Sequence, residues 1–423
     1  MCPTRREFLK ATLGASTLAS FGWSVPAFLV RSAVAAGQSP ERDTVLVVVQ
    51  LSGGNDGLNT VVPYDSDEYA RSRPTLRLPA GEVHRINGSL GFHPRMGGFK
   101  RLYDEGYLSI LQGVGYPNQN RDHDRAMRDW HSAAPSGSSL QTGWLGRVVD
   151  ASQEGVTGAA RETNVRGAAG RGAFVGRIAT PFALSAAKTV VPSVHLANEL
   201  VLEHGPALSA YSSGWTARSE TARADDNALL GFLRQETQRA VETSQRVEAA
   251  AKAAVDYPPF ELAADLRTVA QLIRAEVGFR IFLTELGGGG IGGFDNHANQ
   301  LGNHCAVLHE LSESVAAFVH DLARDGLLDR VLLMTFSEFG RTLAENGRRG
   351  TDHGAAAPLF LAGSKVRGGL IGSHPSLTDL DQGALRFHTD FRRVYATVLE
   401  SWLGMPSRPV LGAPFEVLDV LRV

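Results

Sequence analysis

The chain has 423 residues, of which 43% are apolar, 20% charged and 8% aromatic. That is ordinary globular composition and excludes a disordered, collagen-like or coiled-coil protein. Its 42 basic and 44 acidic residues leave a net charge of −2 with no strongly basic stretch, so a nucleic-acid footprint is excluded as well.

At the N-terminus, Thr4-Arg5-Arg6-Glu7-Phe8-Leu9-Lys10 precedes a mildly apolar stretch, Ala11 to Val30, diluted by Gly, Ser, Thr and Pro. Ala33-Val34-Ala35-Ala36 then offers small residues to a signal peptidase. This layout predicts a cleaved twin-arginine export signal over residues 1–36 rather than a stable membrane anchor. It implies a periplasmic or secreted bacterial protein whose partner during export is the twin-arginine translocase. Cys2 leaves with the signal, so Cys305 is the only cysteine of the mature chain and no internal disulfide is expected.

Thr44 to Leu51 is a continuous β-branched apolar run, suited to a strand buried on both faces of a parallel sheet. It ends abruptly in Ser52-Gly53-Gly54-Asn55-Asp56-Gly57. A second run, Leu108 to Val114, leads into the polar loop Asn118 to Asp124. Residues 151–225 show little periodicity and are expected to form an irregular insertion or cap. Helical spacing follows over Asp226 to Val255, broken by Pro258-Pro259, and again over Leu262 to Val277. Phe279 to Leu286 is expected as a strand, Gln300 to Leu322 as a helix, Val331 to Phe336 and Pro358 to Gly363 as strands, and Phe391 to Leu403 as a closing helix. Strands alternating with helices predict an α/β fold, a mostly parallel sheet sandwiched between helices, over residues 44–405. Residues 406–423 are expected to form a C-terminal tail.

Polar clusters fall just beyond the apolar strands: Asp56, then Asp295-Asn296-His297, Ser337-Glu338 and Asp352-His353. In open α/β sheets that end forms the ligand crevice. Carboxylates and imidazoles from separate loops suit a divalent ion of the hydrolytic kind, leaving room for substrate. Each cluster also has an ordinary reading. Asp56 fits a glycine-rich turn, Asp295 and His297 fit caps for the following helix, Glu338 fits a partner for Arg341, and Asp352-His353 fits a solvated turn.

The blocks Val47 to Tyr64, Phe294 to His297, Ser337 to Arg341, Gly350 to Gly354 and Asp390 to Tyr395, in this order, look like the signature of the domain of unknown function 1501 family. That family remotely resembles the alkaline phosphatase and sulfatase superfamily, in which helices sandwich a mostly parallel sheet with one or two metals at the strand ends. The resemblance implies one or two divalent ions (zinc, manganese, magnesium or calcium) held by Asp56, Asp295, His297, Glu338, Asp352 and His353. It also implies a nucleophile in the block Asn120 to Asp124. Relatives often read Arg-Ser-His there, so Asp122 stands at the hydroxyl position, as a nucleophile or a ligand, with Arg121 and His123 placed to hold an anionic substrate, small or polymeric. Ser52, Thr60 and Ser337 lie in the neighbouring motifs as alternative nucleophiles, and nothing in the sequence promotes one of them.

Two functions fit: an exported metal-dependent hydrolase of phosphate or sulfate esters, and a non-catalytic exported binding or assembly protein that keeps a metal for stability. The turn Gly287 to Gly293 lacks the spacing of a dinucleotide fingerprint, which sets an oxidoreductase aside. The export reading is checked by Arg5→Lys with Arg6→Lys. This double variant keeps the charge but loses the guanidinium pair, and precursor accumulates in the cytoplasm on fractionation. An unchanged periplasmic yield sinks the reading.

Overall fold

The computed structural model describes residues 44–134, 140–154, 171–197, 242–251, 256–287 and 293–422. The export signal expected over residues 1–36 lies outside them. The chain divides into two compact units: Met1–Ser39, Leu196–Ala254 and Gln271–Gly278 form one, and Pro40–His195, Val255–Ala270 and Phe279–Val423 form the other. In the first, residues 242–251 are helical, which is as much of the helix expected over Asp226 to Val255 as the described residues contain.

The second unit is built on a nine-stranded sheet. Its centre is β1 (Val45–Leu51), buried at every position. After β1 come the short helix α1 (Gly57–Thr60), β2 (Val61–Val62), α2 (Asp67–Ser72), β3 (His84–Arg85) and β4 (Gly91–Phe92). Next are α3 (Gly97–Asp104), β5 (Leu108–Gly115), α4 (His123–Ser132), α5 (Trp144–Glu154), β6 (Gly172–Val175) and β7 (Ser193–Val194). Then follow α6 (Glu261–Arg274), β8 (Ile281–Leu286), α7 (Gln300–Arg324) and β9 (Val331–Phe336). The chain continues through β10 (Arg341–Glu345), β11 (Thr351–His353), β12 (Ala357–Ala362), β13 (Gly369–Ile371), β14 (Leu380–Asp381), β15 (Ala384–Leu385) and β16 (Thr389–Asp390), and ends with α8 (Phe391–Thr397) and α9 (Ser407–Leu411).

The large sheet runs β13-β5-β12-β9-β1-β8-β6-β7, with β16 also on β5. β1 lies parallel to β8 and β9, and β6 parallel to β8 and β7. Only β12 runs against its neighbours β5 and β9. The mostly parallel α/β sheet expected from the apolar runs is therefore present, with one reversed strand. Between β9 and β12 the chain carries β10 and β11 instead of a helix, and a return without a crossover helix is antiparallel. β10 and β11 join β15 and β14 in a small antiparallel sheet beside the strand ends.

The expectation for residues 151–225 needs correction: Gly172–Val175 is a strand of the main sheet, hydrogen-bonded to β8. Gly-Ala-Phe-Val is too short for its period to be read against the glycine-rich residues before it. Residues 155–170 and 198–225 are outside the described residues.

On one face of the sheet, Leu46, Val48, Leu283 and Met334 pack with Trp130, Trp144, Phe391 and Trp402. Trp130 stacks on Phe391 at 4.3 Å, and Trp144 on Tyr395 at 4.1 Å. No helix among the described residues is long and apolar enough to cross a membrane.

Beyond β1, a buried polar knot fastens the loops. Arg73, with no exposed side-chain area, grips the Asp56 carboxylate with both Nη atoms, at 2.6 and 2.9 Å. It also donates through Nε to the Leu343 carbonyl at 2.8 Å. Asp56 caps α1 by accepting from Leu58 N, and its Oδ2 accepts from Gln300 Nε2 at 2.5 Å. Burial pushes the Asp56 carboxyl up, but Arg73 overrides it and holds the group ionised, below the usual carboxylate range. Removing one member of such a pair strands a buried charge. Asp56→Ala is therefore expected to cost roughly 3–5 kcal/mol of unfolding free energy by chemical denaturation.

Candidate metal centre

The loop after the parallel strand β8, the antiparallel strand β11 and the start of α4 bring four side chains to one point. Asp295 follows β8, His353 ends β11, His297 lies before α7, and His123 is the first residue of α4. The Nε2 atoms of His123, His297 and His353 lie 3.5, 3.0 and 3.5 Å from one oxygen, Asp295 Oδ1. His123, Asp295 and His353 present ligand atoms all within 4.8 Å of one another.

The opposite ring nitrogens are all occupied. His353 Nδ1 contacts the Arg121 carbonyl at 2.6 Å. A carbonyl only accepts, so Nδ1 carries the proton, and in the neutral ring Nε2 is a lone pair. His123 Nδ1 donates to Glu338 Oε1 at 2.8 Å, and His297 Nδ1 to Asp352 Oδ1 at 3.2 Å. Anchoring of the distal nitrogen by a carboxylate or carbonyl is how proteins orient metal-binding histidines. The consequence is visible between His297 and His353, whose Nε2 atoms are 2.8 Å apart. Two lone pairs at that distance repel unless a proton or a cation lies between them. His123 Nε2 is buried without a hydrogen-bond partner among the described residues. The residues present therefore fit a cation.

The supports are buried while the centre opens to solvent: Arg341 and Glu338 are 0% and 2% exposed, against 46% for Asp295. Glu338 Oε1 also accepts from Gly53 N at 2.8 Å. Arg341 Nη2 donates to Asp295 Oδ1 at 2.6 Å. Burial raises the Asp295 carboxyl, but the Arg341 hydrogen bond and charge prevail and hold it below its usual range. The Glu338 hydrogen bond raises His123, whereas burial lowers His353. Gly53 has φ +115°, and a Cβ there would collide with Asp295 N. The loop after β1 can approach the centre only as glycine.

Of the residues expected to bind metal, Asp295, His297 and His353 meet at the centre. Glu338 and Asp352 stand behind the histidines and hold their Nδ1 protons. Asp56 does not join them. Its buried carboxylate needs a countercharge and takes Arg73. The alternative pairing of Glu338 with Arg341 is not the one formed, since Arg341 takes Asp295 and Glu338 takes His123. Neither Asp295 nor His297 caps α7, whose N-cap is Asn299.

The three residues expected to be catalytic separate. His123 turns inward to the centre. Asp122 is exposed and caps α4, accepting from Arg125 N at 3.1 Å, because four unpaired N–H groups at a helix start need an acceptor. Arg121 serves through its carbonyl, and its guanidinium donates to the Asp381 carbonyl at 2.7 Å in the β14–β15 turn. The motif resemblance implies an anion-holding role for His123, and its place beside Asp122 gives no sign that its ring meets Asp295.

A family model described as Protein of unknown function (DUF1501) matches residues 43–403, and the chain belongs to that family. No curated protein matches it. Among solved structures, the chain is similar to the lipoteichoic acid synthase LtaP from Listeria monocytogenes, with 8% identity, covering 81% of this chain and 71% of that one, at a TM-score of 0.33. It is similar to a protein in the alkaline phosphatase superfamily from Vibrio parahaemolyticus, with 9% identity, covering 92% and 78%, at 0.33. It is also similar to the sulfatase PsFucS1 from Pseudoalteromonas sp., with 11% identity, covering 93% and 75%, at 0.34.

Alanine at His123, Asp295 or His353 removes a donor and is expected to abolish stoichiometric metal in elemental analysis of the purified protein. Glu338→Gln, which releases the His123 ring, weakens affinity about 10–100-fold. Asp122→Ala loses a helix cap, about 1 kcal/mol, and leaves metal content unchanged.

Proposed function

We propose that this family member is an exported metal-dependent hydrolase of phosphate or sulfate esters. The observation that supports the reading best is the convergence of three Nε2 atoms on one carboxylate oxygen, each ring fixed from behind. His123, Asp295, His297 and His353 would hold the ion. Three imidazoles and one carboxylate suit zinc or manganese better than calcium or magnesium, which favour all-oxygen sites. Such an ion polarises an ester oxygen and lowers the pKa of bound water.

The chain's own residues supply the rest. Glu338 and Asp352 keep protons on the outer nitrogens, so the inner ones stay free to bind. Asp295 is ionised by Arg341 and leaves half its side chain open to an incoming ligand. The Asp352 carboxyl is held low first by its hydrogen bond from Asn346, with a contribution from the charge of the exposed Arg348. The choice of phosphate or sulfate esters, small or polymeric, rests on the motif resemblance. Export by the twin-arginine translocase to the periplasm or beyond rests on Arg5-Arg6 and the segment that follows.

The alternative, a non-catalytic binding or assembly protein stabilised by metal, is favoured by Asp122. At the position where relatives carry a hydroxyl it is an exposed helix cap. The two readings divide on one measurement. The zinc- or manganese-loaded protein is assayed against aryl phosphates, phosphodiesters and aryl sulfates, with Asp295→Ala as control. Turnover that is lost in Asp295→Ala supports the hydrolase. A protein that binds one equivalent of metal and melts higher with it, but hydrolyses none of these esters, is the binding protein instead.

A further inference from the structure

The end of β1 carries a second polar group that the metal centre does not use. Gln50 and Ser52 are two residues apart, so their side chains leave the same face of the sheet. That face is the one covered by α4, because His131 Nε2 of α4 contacts Gln50 Oε1 at 2.6 Å. Burial holds His131 down to about 3, so the ring is neutral and donates. Gln50 Nε2 donates to Ser52 Oγ at 2.8 Å, and Ser52 Oγ donates to Glu285 Oε1 at 2.5 Å. Glu285 stands opposite Gln50 in the β1–β8 register.

Two nearby hydroxyls differ in burial and in their shortest contact. Ser337 Oγ lies 2.7 Å from the Leu51 carbonyl and 3.2 Å from Glu338 Oε2, Thr60 Oγ1 lies 2.8 Å from the Asp56 carbonyl, and both residues are buried. Ser52 is only half-buried, and its contact to a carboxylate is the short one, 2.5 Å. Of its two lone pairs one accepts from Gln50, which leaves the other without a hydrogen-bond donor among the described residues. The Glu285 carboxylate is raised by burial and is correspondingly basic, and its Oε2 is buried with no hydrogen-bond partner among the described residues. The next residue, Gly53, donates its N–H to Glu338, which orients His123. The hydroxyl therefore sits one backbone step from the support of the metal centre.

We propose that Ser52 and Glu285 form a nucleophile–base dyad that acts on tetrahedral phosphorus or sulfur electrophiles. The substrate class rests on the hydrolase reading above, whereas the dyad itself needs no metal to be observed. Oγ bonds to phosphorus or sulfur as the ester P–O or S–O bond breaks. The hydroxyl proton passes to Glu285 Oε1 and from there to the departing alkoxide. Water then cleaves the seryl ester, restores the hydroxyl and releases phosphate or sulfate. Gln50 and His131 are positioning residues.

The probe is an alkyl fluorophosphonate, whose P–F bond breaks with loss of fluoride as a serine oxygen attacks. The full chain, stripped of metal by a chelator, is expected to gain one adduct, mapped by peptide mass to Ser52 and absent in Ser52→Ala. Glu285→Gln keeps the size of the side chain but removes the base, and labelling slows by at least about 10²-fold at an unchanged melting temperature. Should Glu285→Gln not fold, Glu285→Asp, which retains a carboxylate one methylene further away, labels at an intermediate rate. A folded wild type that takes no adduct, an adduct on a different serine, or equal rates with and without the Glu285 carboxylate overturns the dyad. Loss of metal binding or of ester hydrolysis with Ser52 still labelled overturns the hydrolase reading and leaves the dyad standing.

Discussion

Arg341 has no exposed side-chain area, yet it spends its donors on the ends of several elements at once. Nε donates to the Gly54 carbonyl and Nη1 to the Thr351 carbonyl, while Nη2 is shared among the Gly53 and Phe294 carbonyls and Asp295 Oδ1. A buried guanidinium is tolerated only when its N–H groups are satisfied and its charge is met. The loops after β1 and β8 and the strand β11 are therefore held in one arrangement, and the carboxylate at the centre of the imidazoles is held ionised.

A second buried guanidinium is tied to the first. Arg73 holds Asp56, Asp56 accepts from Gln300, Gln300 accepts from Thr351 Oγ1, and the Thr351 carbonyl accepts from Arg341. The aspartate that looked like a ligand is thus linked by hydrogen bonds to the strand that ends in His353, at the candidate metal centre. Such a connected network resists local rearrangement, because low-dielectric hydrogen bonds are costly to break singly. The three rings are held from their Nδ1 atoms within it.

Where the chain opens to solvent, it opens at the chemistry. Asp295, His123 and His353 are partly exposed, while Glu338 and Arg341 behind them are not. The Ser52–Glu285 pair lies on the α4 side of the same strand ends. α4 carries both neighbourhoods, with His123 at its first turn beside the metal centre and His131 at its last turn against Gln50.

Much of this was legible in the linear chain. Apolar runs announce β1, β8, β9 and β12, because a strand buried on both faces needs an apolar composition. Polar residues clustered after those runs announce the crevice, because parallel strands place their C-terminal ends together. Asp295 and His297, after β8, follow from that rule, and so do Asp56 and Glu338, which take other roles. What the sequence could not say is which charged group meets which. Asp56 reads as well as Asp295 until burial forces it onto Arg73, 17 residues away in sequence. His123 and Glu338 are separated by 215 residues and meet only because α4 and the loop after β9 fold to the same edge. Glu285 is hidden within an apolar strand. Composition and spacing determine the strands and the edge where chemistry gathers, since these depend on neighbours along the chain. Ligand, support and counter-ion are decided by the tertiary structure, because a charge takes its role from the dielectric and the partners around it.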